Sequence, residues 1–195
     1  MKAVFLHSTN IFSPLGKTTE ENLSHLIDGE RGVKSHALES IHSGALWASL
    51  FSKEQIDFLK ESINQEANYS KFELLLIASV SDALKHCNID PSSGKTVFVI
   101  STTKGNIDEI QNDKSEISST ANLELFQSGK LLTEYFKNPN DPIIISNACI
   151  SGVAATIVAQ RLLKAGLFEN AIVTGADTIG AFVFSLRSRC PLTKS

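Results

Sequence analysis

Between residues 143 and 165 an apolar run, a tight turn and a small-residue helix follow one another without a spacer, and no other stretch limits the possible folds as strongly. Ile143-Ile144-Ile145 reads as a short buried strand, and SNACISG (146–152) turns the chain. Val153, Ala154, Ala155, Ile157, Val158, Ala159, Leu162 and Leu163 then leave a narrow polar line at Thr156, Gln160 and Lys164, spaced by four, with Arg161 beside it. A helix apolar on most sides belongs at the centre of a core. Gly166 supplies a turn, and Ala171–Thr174 reads as a second buried strand. Two such strands joined by a helix form a right-handed βαβ unit. The expected fold class is therefore α/β, a mixed and mostly parallel sheet covered by helices, with helix 152–165 buried centrally after the turn.

The rest of the chain repeats the alternation. KAVFLH (2–7) reads as a strand, followed by the turn residues Ser13-Pro14-Leu15-Gly16. Thr18 and Glu21 have the spacing of a capping box for a helix that stops at Gly29. A strand is expected at Ala45–Leu50 around Trp47 and a helix after Ser52. Ser70 and Glu73 form a second capping box. The helix behind it carries Phe72, Leu75, Leu76, Val80, Ala83, Leu84 and Cys87 on one face and ends near Asn88. After the turn at Asp90-Pro91, KTVFVIST (95–102) reads as a strand buried on both faces. Residues 104–122 read as a polar surface excursion with one helical turn near Ile107–Gln111, and Leu123–Phe136 returns to helical spacing.

Length and composition narrow the function classes. The 195 residues suit a single domain, 1–195, with one core. A net charge of −3, with 18 scattered Lys and Arg, lacks the basic stripe that nucleic acid requires. No apolar stretch approaches the roughly 18 residues that span a bilayer, and the N-terminus turns polar too soon for a secretory signal. The expectation is a cytoplasmic protein. Cys87, Cys149 and Cys190 have neither CxxC spacing nor an even count, so neither a metal site nor a disulfide framework is indicated. No cofactor is expected either: STTKGN (101–106) lacks P-loop spacing.

The chemistry centres on Cys149. A strand-to-helix turn presents its side chains at the carboxyl edge of a sheet, against exposed amides and the positive end of a helix dipole. Thiolate is the nucleophilic form of cysteine, and a helix N-terminus favours it. The same amides can receive an oxyanion formed on an attacked carbonyl. Ala148, Ser151 and Gly152 line the turn with small groups, so a substrate can approach closely; they are the candidate substrate-binding residues beside the candidate nucleophile. A cysteine between small residues also fills space without chemistry, and spacing alone leaves both readings open.

Several stretches together resemble the amino-terminal half of a β-ketoacyl-acyl-carrier-protein synthase, a condensing enzyme of the thiolase-like superfamily. They are SPLG at 13–16 with its helix, VFVISTTKGNID at 97–108, NACISG at 147–152 and AIVTGADT at 171–178. The resemblance implies that Cys149 accepts an acyl chain from acyl carrier protein as a thioester, in fatty-acid or polyketide-type biosynthesis. It also implies a homodimer, or a heterodimer with a thiolase-like subunit. In such enzymes the second half supplies two histidines that activate the malonyl donor. Here His7, His25, His36, His42 and His86 all precede the nucleophile, in contexts unlike the family's catalytic ones, and the pattern is lost after about residue 185. Acylation without complete condensation is the expected activity, the alternative being a non-catalytic partner of a complete synthase. A cysteine hydrolase would need, in most chain orders, a histidine after Cys149, and none follows.

Overall fold

The structure is a computed structural model and describes residues 3–37, 45–63, 69–107 and 124–180. In chain order its elements are α1 (Thr19–Ile27), β1 (Lys34–Ala37), β2 (Ala45–Ala48), α2 (Lys53–Ser62), α3 (Lys71–Leu84), β3 (Thr96–Ser101), α4 (Leu125–Tyr135), β4 (Ile143–Ile145), a 3₁₀ turn (Ala148–Ile150), α5 (Ser151–Lys164) and β5 (Asn170–Gly175). β1 and β2 form an antiparallel pair. The other strands make one parallel sheet in the order β4-β3-β5. This is an α/β fold with helices on both faces of a parallel sheet.

β3 organises the core because its alternating side chains enter two apolar layers. Phe98 and Ile100 pack with Phe72, Leu76, Ile77 and Val80 of α3 and with Leu132 of α4. Val97 and Val99 pack on the other side against Ala155 and Ala159 of α5. All six residues of β3 are buried. Full burial of an aromatic such as Phe98 stabilises by about 3 kcal/mol. Sheet and helix approach closely behind α5 because Ala155 and Ala159 are small.

Local signals account for the helices. At α3 the Ser70 hydroxyl accepts from the Glu73 amide while the Glu73 carboxylate accepts from the Ser70 amide, the expected capping box. Ser52 and Gln55 make a second one at α2. Gly29 ends the first helical segment at φ 80° and Gly166 follows α5 at φ 73°. At α1 the Thr18 hydroxyl caps as expected, but the Glu21 carboxylate reaches one residue further back, to the Lys17 amide at 2.7 Å.

Four expectations are corrected. Residues 3–7 form no strand: they make no ladder, and Phe5 and Leu6 stand exposed. β-rich composition needs a partner edge to become a strand. Secondly, the two strands joined by α5 are not enclosed: β4 and β5 lie in one parallel sheet, on either side of β3. Each therefore pairs on one side only among the described residues and is half-buried rather than enclosed. Thirdly, α5 is buried on one face only: Val153 is 65 % and Ile157 43 % exposed. Fourthly, α3 stops at Leu84, so Cys87 lies beyond it. The turn expected at Ile107–Gln111 falls almost wholly outside the described residues.

Candidate functional site

Parallel pairing aligns three chain segments at the carboxyl edge of the sheet. Ser101 is in register with Ile145 on one side and Gly175 on the other, and the Thr102 amide extends the β3–β4 ladder to the Ile145 carbonyl at 3.3 Å. Thr102–Lys104, Ser146–Cys149 and Ala176–Asp177 consequently leave the sheet together. In open α/β sheets this edge is where ligands bind.

The Cys149 turn is compact. The Ile150 amide donates to Asn147 O at 3.2 Å, and the 3₁₀ turn Ala148–Ile150 runs directly into α5. Ala148 holds a left-handed backbone, φ 45°, which an L-residue other than glycine adopts at a cost of about 1–2 kcal/mol. Such strained residues cluster at functional sites. Cys149 is a free, exposed thiol with no hydrogen bond among the described residues. Gly152 leaves room beside it: an added Cβ would meet nothing nearer than Ser101 Oγ at 4.0 Å. Ser151, by contrast, is buried, and its hydroxyl is engaged on both sides of the turn, accepting from the Asn147 amide and donating to Ala148 O, each at 2.8 Å.

Next to this turn lies a clasp that sequence reading did not single out. Asp177 Oδ1 accepts from Thr103 Oγ1 at 2.9 Å, the Thr103 amide at 3.1 Å and Thr102 Oγ1 at 3.2 Å, with Lys104 Nζ at 3.7 Å. Thr102 Oγ1 also accepts from the Lys104 and Gly105 amides. The clasp joins the loop after β3 to the end of β5. Its members are far apart in sequence, and only their common place in motif-like stretches hinted at the contact.

The other candidates lie elsewhere. Cys87 is half-buried and lines a cleft of about 430 Å³ between residues 3–10, α3 and β5, which His7 also lines. His25 pairs with Glu30 at 3.1 Å, His36 Nε2 lies 3.1 Å from Ala48 O, and His86 is exposed. His42 and Cys190 fall outside the described residues. Among the described residues, no histidine bonds to Cys149, and no three of His, Cys, Asp or Glu gather to hold a metal ion.

A helix-covered parallel sheet, with a cysteine in a strained turn where a strand gives way to a helix, is a fold this chain shares with ketosynthases of known structure. Among solved structures, the ketosynthase ApeO in complex with its chain length factor ApeC from Xenorhabdus doucetiae matches 93 % of this chain with a TM-score of 0.68 at 20 % identity. The ishigamide ketosynthase/chain length factor matches 93 % with a TM-score of 0.74 at 13 % identity. A β-ketoacyl synthase from Burkholderia phymatum STM815 matches 86 % with a TM-score of 0.62 at 16 % identity. The matched region spans about half of each of those chains, 49 %, 55 % and 45 % respectively. Neither a protein-family profile nor a curated protein matches the chain. Among the described residues no helix is long and apolar enough to cross a membrane.

Proposed function

We propose that this chain is a β-ketoacyl-synthase-like acyl acceptor in fatty-acid or polyketide-type biosynthesis. The Cys149 thiolate attacks the carbonyl carbon of an acyl-carrier-protein thioester. The tetrahedral oxyanion faces amides at the start of α5, and its collapse breaks the original C–S bond. Acyl carrier protein leaves as the thiolate and takes up a proton, while the acyl chain stays on Cys149 as a new thioester. Condensation with a malonyl unit needs histidines that none of the described positions supplies at this turn. The observation that carries the reading is an exposed thiol beside a left-handed alanine, where a parallel strand meets a helix. Ala148 and Gly152 would border the acyl group. The test is intact-mass measurement after mixing with acyl-carrier-protein thioesters, with Cys149→Ala as control. An acyl adduct on wild-type protein alone is expected, and no adduct would refute the reading.

A second reading, a non-catalytic thiolase-like partner of a complete synthase, draws on the exposed apolar residues of α5 and on two neighbours that pair a ketosynthase with a chain length factor. Copurification from the native cell separates the two readings. A synthase partner together with an unacylated Cys149 would favour the second.

A further inference from the structure

The serine two residues past Cys149 bridges the backbone ahead of it. Ser151 is only 5 % exposed, and its Oγ ties the Asn147 amide to the Ala148 carbonyl. The Ser151 amide donates to that same carbonyl. Between the two tied groups sits Ala148 with φ 45°, a conformation that L-residues resist because Cβ crowds the backbone. A strained residue persists only where its surroundings over-determine it, and here the Ser151 hydroxyl supplies the constraint. Its single proton is committed to Ala148 O and a lone pair to the Asn147 amide, so it is poorly placed to recognise an acyl group.

We propose that Ser151 is a positioning residue: its hydroxyl holds Ala148 in the left-handed conformation and so fixes the Cys149 sulfur at the start of α5. This rests on reading Cys149 as the acyl acceptor, and it makes Ser151 a brace of the turn instead of a lining of the substrate site. It also predicts energetic coupling between positions 148 and 151. Glycine adopts positive φ freely, so a glycine at 148 removes the strain that the hydroxyl has to hold. Loss of the hydroxyl should then matter far less.

The experiment measures the rate at which iodoacetamide alkylates Cys149 in the full chain, by peptide mass mapping, with Cys87 as internal reference. The proteins are wild type, Ser151→Ala, Ser151→Thr, Ala148→Gly and the Ser151→Ala/Ala148→Gly double variant. Ser151→Ala is expected to slow Cys149 about tenfold, as the sulfur moves away from the amides and dipole at the start of α5, without changing Cys87. Ser151→Thr, which keeps the hydroxyl, should restore the rate to within about threefold, and the double variant should recover most of it. An unchanged rate in Ser151→Ala, or a parallel change at Cys87, overturns the proposal. If Ser151→Ala does not fold, the double variant decides: wild-type alkylation supports the brace, and a slow or unfolded double variant overturns it. Iodoacetamide needs no acyl carrier protein, so a failure of acyl transfer in wild-type protein would sink the acyl-acceptor reading and leave the brace standing.

Discussion

Gly175 faces Ser101 across the β3–β5 pair with no space for a side chain. A Cβ at Gly175 would fall 2.6 Å from the Ser101 carbonyl oxygen and nearer still to its hydroxyl, which itself donates to Thr174 O at 3.3 Å. Because one of the obstructing atoms is backbone, no rotamer change at Ser101 can clear it. Gly175→Ala should therefore push the strands apart at the edge that carries the Asp177 clasp, at a cost of about 1–3 kcal/mol. Urea unfolding followed by circular dichroism measures this. A midpoint equal to wild type would show that the contact yields more easily than its geometry implies.

How far this edge could be read from the sequence depends on the range of each contact. The capping box at Ser70, the stop at Gly29 and the two-faced burial of Val97–Ile100 are local or periodic signals, and all are present. The ketosynthase-like fold was legible from the order of short motifs. Strand pairing was not, since nothing in IIIS or AIVTG says that β3 lies between them. Residues 3–7 have strand composition but no ladder partner. The exposed outer face of α5 is not legible in the sequence, because apolar content reports what a helix can bury, not what this chain places against it. Cys149 was identified as a candidate, whereas the left-handed Ala148 gave no signal because no glycine marks it. The Asp177 clasp spans 74 and 75 residues of sequence and carries no periodicity.

A buried carboxylate ties together the elements behind the site. Glu73 is 3 % exposed, and its Oε1 accepts from Asn106 Nδ2 at 2.9 Å and Ser128 Oγ at 3.0 Å. Its Oε2 accepts from the Ser70 amide at 2.8 Å, and Ser70 Oγ reaches Asn106 Oδ1 at 2.6 Å. One side chain thus joins α3, the loop after β3 and α4. Glu73→Ala removes the shared acceptor of several buried donors, and a loss of about 3 kcal/mol is expected. Glu73→Gln keeps the shape and one acceptor but turns its carboxamide NH2, a donor, toward the Ser70 amide, so it should fall between alanine and wild type. Chemical denaturation of the three proteins checks the order.

The turn leading into β3 carries a pH-dependent contact. Asp90 Oδ1 accepts from Ser92 Oγ at 2.7 Å and from the Ser92 amide at 2.9 Å. The hydroxyl bond first, and the amide bond second, hold this exposed carboxyl below its ordinary value. A carboxylate with a lowered folded-state pKa stabilises the fold at pH above the unfolded value, and the contribution disappears as pH falls through the folded one. The effect is therefore expected only below about pH 4, within the usual carboxylate range. In a carboxyl-carbon NMR titration the Asp90 midpoint should lie low in wild type and move up in Ser92→Ala. Identical midpoints would assign the shift to something other than the hydroxyl.

The outer face of α5 yields a prediction about assembly. Ile150 (57 % exposed), Val153 and Ile157 succeed one another at three and four residues, so they form one apolar stripe running away from the Cys149 turn. Soluble proteins seldom leave such a stripe bare, and exposed apolar patches mark interaction surfaces. On the opposite face Ala155 and Ala159 already pack on the sheet, so the helix cannot bury the stripe by rotating. The chain is expected to self-associate, or to bind a thiolase-like subunit, through this face. Light scattering coupled to gel filtration should give a mass above that of one 21.2 kDa chain. Val153→Lys/Ile157→Lys should return it to one chain without loss of thermal stability, because neither side chain belongs to the two core clusters. A wild-type monomer at high concentration that also captures no synthase would leave the stripe without the role assigned to it here.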